Sequence, residues 1–239
     1  MTGWPLLSIV IWLPTVGALL LLLVNNRDGS RNGLVRNITL VASLATFAAT
    51  LALWAFYDMS GAAEFQFTER LPWIPAFGIE YSLGIDGISL LLIVLTAFLT
   101  PIALLSSWEG VQKKVKEFSI FMLLLETAML GVFASLDLFL FYVFWDFVLI
   151  PMYFIIGIWG YERRVYAAVK FILYTMAGSV LMLVAIIGVA WINQNQTGSY
   201  SFDLLHLYGL QIPARTQFWF FLAFAVAFAI KVPLFPFHT

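Results

Sequence analysis

Apolar residues fill most of this chain in long blocks, and short polar stretches separate them. A helix that crosses the hydrocarbon core of a bilayer needs about 20 mostly apolar residues, and the blocks have that length. The first runs from about Trp4 to Val24, the second from Leu34 to Tyr57 and the third from Asp86 to Trp108. The stretch Phe118 to Gly160 is too long for one span. It divides at Ser135-Leu-Asp137, where Ser or Asp can cap a new helix. This predicts a fourth helix over Glu117–Ser135 and a fifth over Asp137–Gly160. A sixth runs from about Tyr166 to Trp191, and a seventh begins near Arg215 and carries Lys231. The pattern predicts an all-α integral membrane protein, a polytopic bundle of about seven transmembrane helices.

The basic residues alternate as seven spans require. The loops after the first, third and fifth blocks hold Arg27, Arg31, Arg36, Lys113, Lys114, Lys116, Arg163, Arg164 and, just beyond, Lys170; the alternate loops hold only Arg70 and Arg215. Basic residues mark the cytoplasmic side, so the N-terminus is expected outside the cytoplasm. The opening Met-Thr-Gly-Trp-Pro lacks the basic leader of a secretory signal, and the first block is expected to be a retained helix. Two segments on the exterior side, 58–85 and 193–216, mix aromatic, proline and acidic residues and read as folded loops. The chain stops just after the seventh block breaks, which reads as a fragment of a longer protein.

Composition narrows the chemistry. Hydrophobic residues make up 62% and charged residues 10%, which fits a membrane protein and excludes disorder. With no cysteine there are no disulfides, iron–sulfur clusters or thiolate metal sites within the chain. The two histidines, His206 and His238, lie outside continuous apolar spans, so bis-histidine haem ligation between helices has no material. Gly-rich nucleotide loops are missing from the sequence. The expectation is a subunit without cofactor, metal or redox centre, and with no nucleic-acid partner.

Three ionisable residues fall deep inside spans: Glu126, Asp146 and Lys231. Charges there are expensive, and they usually face a cavity or partner and serve a function. Asp146 is nine residues into its helix, about 14 Å along the axis. Desolvation penalises each charge alone, whereas an acid and an amine brought together favour each other's ionised form. Read from residues alone, Asp146 and Lys231 make either a switchable proton site or a static buried ion pair that orders the helices. Pro151 and Pro233 follow the two closely, and each leaves a helical carbonyl, that of Phe147 and of Ala229, without its usual donor. Broken helices beside midplane charges recur in transporters, although prolines are common in membrane helices. Tyr142 and Tyr153 share a stripe with Asp146, as hydrogen-bonding hydroxyls or as packing aromatics. Lys170 stands near the cytoplasmic edge, where a lysine can snorkel to the interface.

The motifs Leu83-Gly-Ile-Asp-Gly-Ile-Ser89, Phe144-Trp-Asp-Phe-Val-Leu-Ile-Pro-Met-Tyr153 and Ala229-Ile-Lys-Val-Pro-Leu-Phe-Pro-Phe-His238 resemble the antiporter-like membrane subunits of respiratory complex I, most closely the subunit M family. Single motifs are shared with Mrp-type cation/proton antiporters and membrane-bound hydrogenases. The resemblance covers essentially the whole chain. It implies an inverted-repeat fold with a broken seventh helix: residues 1–116 would supply three N-terminal helices with an exterior loop at 58–85, and residues 117–239 most of the first repeat. It also implies a proton-transfer pair, a carboxylate on the fifth helix and a lysine on the seventh. Lys231 matches that lysine; Asp146 stands where the family has glutamate, one methylene longer. Glu126 is a candidate second carboxylate, Lys170 matches a position on the cytoplasmic side, and His238 matches a histidine after the break. The implied function is proton translocation as a non-redox subunit of an NADH:quinone oxidoreductase in a bacterial inner membrane. Its partners would be neighbouring antiporter-like subunits, lipid and protons. The alternatives are an Mrp-type sodium/proton antiporter or membrane-bound hydrogenase subunit, and a scaffold subunit without transport.

Overall fold

The computed structural model describes residues 5–26, 28–59 and 65–238. Trp4, Arg27, residues 60–64 of the 58–85 loop and Thr239 lie outside them. Seven helices among the described residues are long and apolar enough to cross a membrane. They are α1 (Leu6–Leu23), α2 (Asn32–Phe56), α3 (Gly87–Ser106), α4 (Val115–Ala134), the pair α5 (Leu138–Phe147) and α6 (Leu149–Trp159) forming one span, α7 (Arg164–Thr197) and α9 (Ala214–Lys231). A short α8 (Leu204–Leu207) precedes α9. Many large apolar side chains on the outer faces, such as Leu19, Leu22, Leu91 and Val184, are exposed. Such faces suit lipid, because lipid tails are as apolar as leucine.

The predicted boundaries hold to within a few residues except at the sixth span. There α7 runs six residues past Trp191 to Thr197, where Gly198 ends it with a φ of 84°. At 34 residues it is about 50 Å long, more than a bilayer core needs. The polar run Asn193–Gln196 marks where the helix leaves the apolar layer, and helical hydrogen bonding continues past that point. The fifth span is interrupted at Val148. Pro151 cannot donate to the Phe147 carbonyl, and the neighbouring bonds are long: Val148 N to Phe144 O at 3.3 Å and Met152 N to Val148 O at 3.4 Å. At the seventh span, the Ala229 carbonyl that Pro233 deprives of its usual partner accepts instead from Leu234 N at 2.8 Å.

α4 is the central post, packed against α1, α2, α3, α5 and α6, while α9 leans on α7. Small residues allow the close contacts: a Cβ on Gly17 would meet Ala42 and Leu123, and one on Gly131 would meet the Phe144 ring.

The bundle is all-α, and the 58–85 loop adds a hairpin at one face. Strands β1 (Gln66–Ile74) and β2 (Ile79–Ile85) pair antiparallel. Gly78 turns the chain with a φ of 63° against the Tyr200 backbone, where a side chain has no room. The hairpin fastens several helix ends. Glu69 accepts from Leu7 N at 2.8 Å and Ser8 N at 3.2 Å, so a strand carboxylate caps α1. Asp137 caps α5 through Phe139 N and Leu140 N, both at 2.9 Å, and accepts from Glu80 N of β2 at 3.1 Å. Leu136 N donates to Ser82 O and Leu138 N to Phe202 O, each at 2.9 Å, and Arg70 pairs with Asp203 at 2.8 Å. Asp86 caps α3 in a reciprocal box with Ser89. Partial burial opposes ionisation of Asp86, but bonds from the Ser89 hydroxyl and from backbone N–H groups outweigh it and hold the carboxyl below the usual range. A lowered folded-state value contributes stability at neutral pH that is lost as pH falls through the acid range.

Removing the Glu69 carboxylate leaves the first N–H groups of α1 unserved. Glu69→Ala is expected to destabilise the protein by about 1–2 kcal/mol, the size of a lost helix cap. Thermal unfolding in detergent, with Glu69→Gln recovering part of the loss, measures it.

Candidate functional site

Asp146 is on the last turn of α5, half-buried against α7. The Ser179 hydroxyl of α7 donates to its carboxylate. The Tyr142 hydroxyl, one turn earlier on α5, interacts with both. The surface of α7 is small beside this point: Gly178, next to Ser179, leaves room for Ile230 of α9. Consecutive residues of α7 thus serve two neighbours, Gly178 the approach of α9 and Ser179 the acid on α5.

Lys231 is the last residue of α9. Its ammonium donates to the backbone carbonyl of Trp145 at 2.9 Å and sits 4.5 Å from the centroid of the Trp145 ring. The two contacts are complementary. A charge-assisted hydrogen bond is about twice as strong as a neutral one, and a cation–π contact open to solvent adds about 0.5–1 kcal/mol. Phe228, one turn before Lys231, packs edge-on against the same ring at 5.3 Å and helps to hold it in place. The carbonyl that receives Lys231 belongs to the peptide joining Trp145 to Asp146. Acid and amine are thus one peptide unit apart through the chain, with no ion pair within 4.0 Å between them among the described residues.

Lys231 also lines a cleft of about 590 Å³ between α4, α6, α7 and the end of α9. Lys170, Tyr174, Thr175 and His238 line it too, and Asp146 does not. Lys231 therefore has the acid's peptide on one side and a large open space on the other. Lys170 is exposed, and His238 stacks on Phe235 at 5.6 Å. Of the two stripe tyrosines, Tyr142 reaches the acid, while Tyr153 packs edge-on against Phe154. Glu126 is not part of this group. Its neighbours Leu125 and Met129 line the cleft, while Glu126 is fully buried without a hydrogen-bond partner among the described residues. The resemblance makes Glu126 a candidate second carboxylate beside the pair; the structure instead turns it to another face of α4 from Leu125 and Met129.

Two participants are not apparent in the sequence. Ser179 is one hydroxyl among many and lies 33 residues from Asp146. Its only local sign is the run of small residues Ala177-Gly178-Ser179, which marks a close helix contact. The Trp145 carbonyl is a backbone group and carries no sequence signal, although the loosened ladder before Pro151 points to that turn.

A family model described as NADH-ubiquinone oxidoreductase chain 4, amino terminus, matches residues 9–134. A second, described as NADH:quinone oxidoreductase/Mrp antiporter, matches residues 135–239. The chain is 46% identical over 233 residues to NADH-ubiquinone oxidoreductase chain 4 of Arabidopsis thaliana, covering 97% of this chain and 45% of that protein. It is 39% identical over 237 residues to NADH-quinone oxidoreductase subunit M of Rickettsia prowazekii, covering 98% and 47%. It thus spans about half the length of these curated relatives. Among solved structures, a chain of respiratory complex I from Thermus thermophilus with bound NADH superposes with a TM-score of 0.82 at 31% identity, over 97% of this chain and 45% of that one. A chain of the Mrp complex from Dietzia shares the fold, with a TM-score of 0.76 at 18% identity, over 98% of this chain and 24% of that one.

Proposed function

The chain belongs to the NADH-ubiquinone oxidoreductase chain 4 family, and from that premise we propose that it moves protons across the membrane as a subunit without redox chemistry of its own. Electron transfer elsewhere in an NADH:quinone oxidoreductase would drive it, with neighbouring antiporter-like subunits as its partners. The chain is a multi-pass membrane protein. A bacterial inner membrane fits the Rickettsia relatives, and the basic loops favour an N-terminus on the non-cytoplasmic side.

The observation that carries the reading is the position of Lys231, between the Trp145–Asp146 peptide and the cleft. In this proposal the lysine holds a proton against the Trp145 carbonyl. A small swing would carry its ammonium to the Asp146 carboxylate, which Ser179 orients. The carboxylate tightens the hold on the proton, and retreat from it loosens the hold. The step breaks one ammonium N–H bond and hands the proton to water in the cleft, leaving a neutral amine for reloading. Lys170 and His238, on the cleft wall, are placed to receive or supply that proton.

Asp146→Ala in the assembled complex is expected to lower the protons moved per NADH oxidised in sealed vesicles. An unchanged ratio at full assembly sinks the reading. Lost assembly with normal pumping per assembled complex would favour a scaffold role, and transport that requires sodium would favour antiport of the Mrp type.

A further inference from the structure

Glu126 is 0% exposed, and neither carboxyl oxygen has a hydrogen-bond partner among the described residues. A buried polar group left unpaired is costly, which raises the question of what it does there. Its helix face locates it. Ser119, Leu123, Glu126 and Leu130 form one stripe of α4. Leu123 packs with Ala18 of α1 and with Val35 and Ala42 of α2. Leu130 packs in the cluster holding Leu53 and Ala49 of α2 and Ile93 of α3. Both clusters also hold α1 residues, so Glu126 lies between these levels on the face that meets α1 and α2, at the height of Ser43 and Thr46 and away from the Lys231 cleft.

α2 lines that face with hydroxyls: Thr39, Ser43, Thr46 and Thr50 are each at most 1% exposed. Each donates to a carbonyl of its own helix, which leaves its oxygen lone pairs available as acceptors. Thr100 of α3 is buried with the same arrangement. Toward the loop ends of α2 and α3, Thr39 and Ser119 line a cavity of about 20 Å³ together with Arg36. One ordered water needs roughly 10–15 Å³. The buried hydroxyls of α2 thus run from a water-sized space near the surface up to the level of the unpaired acid.

We propose that Glu126 is a second proton-binding site, separate from Asp146 and Lys231, that exchanges protons with the Arg36 end of the bundle along this hydroxyl seam. The chemistry is a neutral relay. One carboxyl oxygen takes a proton from a seam hydroxyl or water as the O–H bond of the other breaks and its proton passes back to the seam, so the acid exchanges protons without resting as an anion. The surroundings require this. α1 and α3 contain no ionisable side chain, and the single one on α2, Arg36, is engaged with the Val111 carbonyl, Gln112 and the Trp108 ring. On α5 and α6 the ionisable groups are Asp146, Tyr142 and Tyr153, all described above in other contacts.

The inference does not rest on the Asp146–Lys231 reading, and infrared spectroscopy of membranes holding the assembled complex tests it. A carbonyl stretch of a protonated carboxyl is expected at neutral pH, absent in Glu126→Gln and displaced in Glu126→Asp should the glutamine variant fail to assemble. In D2O the band shifts, and Thr46→Val combined with Ser119→Ala slows that shift about a hundredfold, the low end of what a positioned proton-transfer group contributes. The same shift persists in Lys231→Ala, so failure at one site is distinguishable from failure at the other. A band that never exchanges, or one whose exchange ignores the seam variants, marks a static buried acid and overturns the proposal.

Discussion

Lys231→Ala is expected to slow proton translocation by the assembled complex about a hundredfold or more, the scale of losing a positioned proton-transfer group. The helix itself should survive, because Lys231 is the final residue of α9 and only half-buried. The variant removes the ammonium that touches both the Trp145 peptide and the cleft. Lys231→Arg separates charge from proton exchange. A guanidinium keeps its proton at any physiological pH and stacks well on aromatic rings, so it can occupy the place over Trp145 without releasing a proton. Proton uptake by vesicles is therefore expected to fail in both variants while assembly is retained. Normal pumping by Lys231→Arg would show that a fixed positive charge suffices, and the protonation cycle would be abandoned.

The second large effect is structural. Gly131→Leu is expected to cost about 3 kcal/mol or more, the upper end of overpacking in a close-packed interior. A Cβ at Gly131 already meets the Phe144 ring, which is itself buried and rests on Trp12 at 6.0 Å. Phe144 lies two residues before Asp146, so displacing it pushes the acid away from Ser179. The variant should lower the temperature of unfolding in detergent and reduce assembly. Adding Phe144→Ala should recover part of the loss by vacating space. Gly33→Ala is the matched control: nothing lies within 4 Å of the added carbon, and a helical Gly→Ala exchange is expected to stabilise by about 0.5–1 kcal/mol.

The spans were legible because a bilayer imposes their length and apolarity on the sequence. The start of α5 was legible because Asp137 is a strong cap at a break in an overlong apolar run. The end of α7 was not, because leaving lipid and ending a helix are separate events that the Asn193–Gln196 run blurs. The hairpin was hidden for another reason. β1 reads Gln-Phe-Thr-Glu-Arg-Leu-Pro-Trp-Ile with no clean alternation, since its strands meet loops and helix ends where a globular core would impose a period of two. At the candidate site, residue types and depth single out Asp146 and Lys231, and the structure brings both to the Trp145–Asp146 peptide. Their partners follow from tertiary geometry: a serine 33 residues away and a peptide carbonyl. Glu126 shows the limit most directly. Its depth matched the other two, and only the packing of Leu123 and Leu130 reveals which way it faces.

The hairpin that grips α1 through Glu69 and α5 through Asp137 has a mechanical consequence. A sheet fastened to those helix ends makes that side of the molecule a fulcrum, and rocking of the spans must grow in amplitude toward the far side. The cleft wall and the ends of α6 and α9 lie along the lever arm, where the proposed passage of the ammonium from carbonyl to carboxylate would need the smallest tilt.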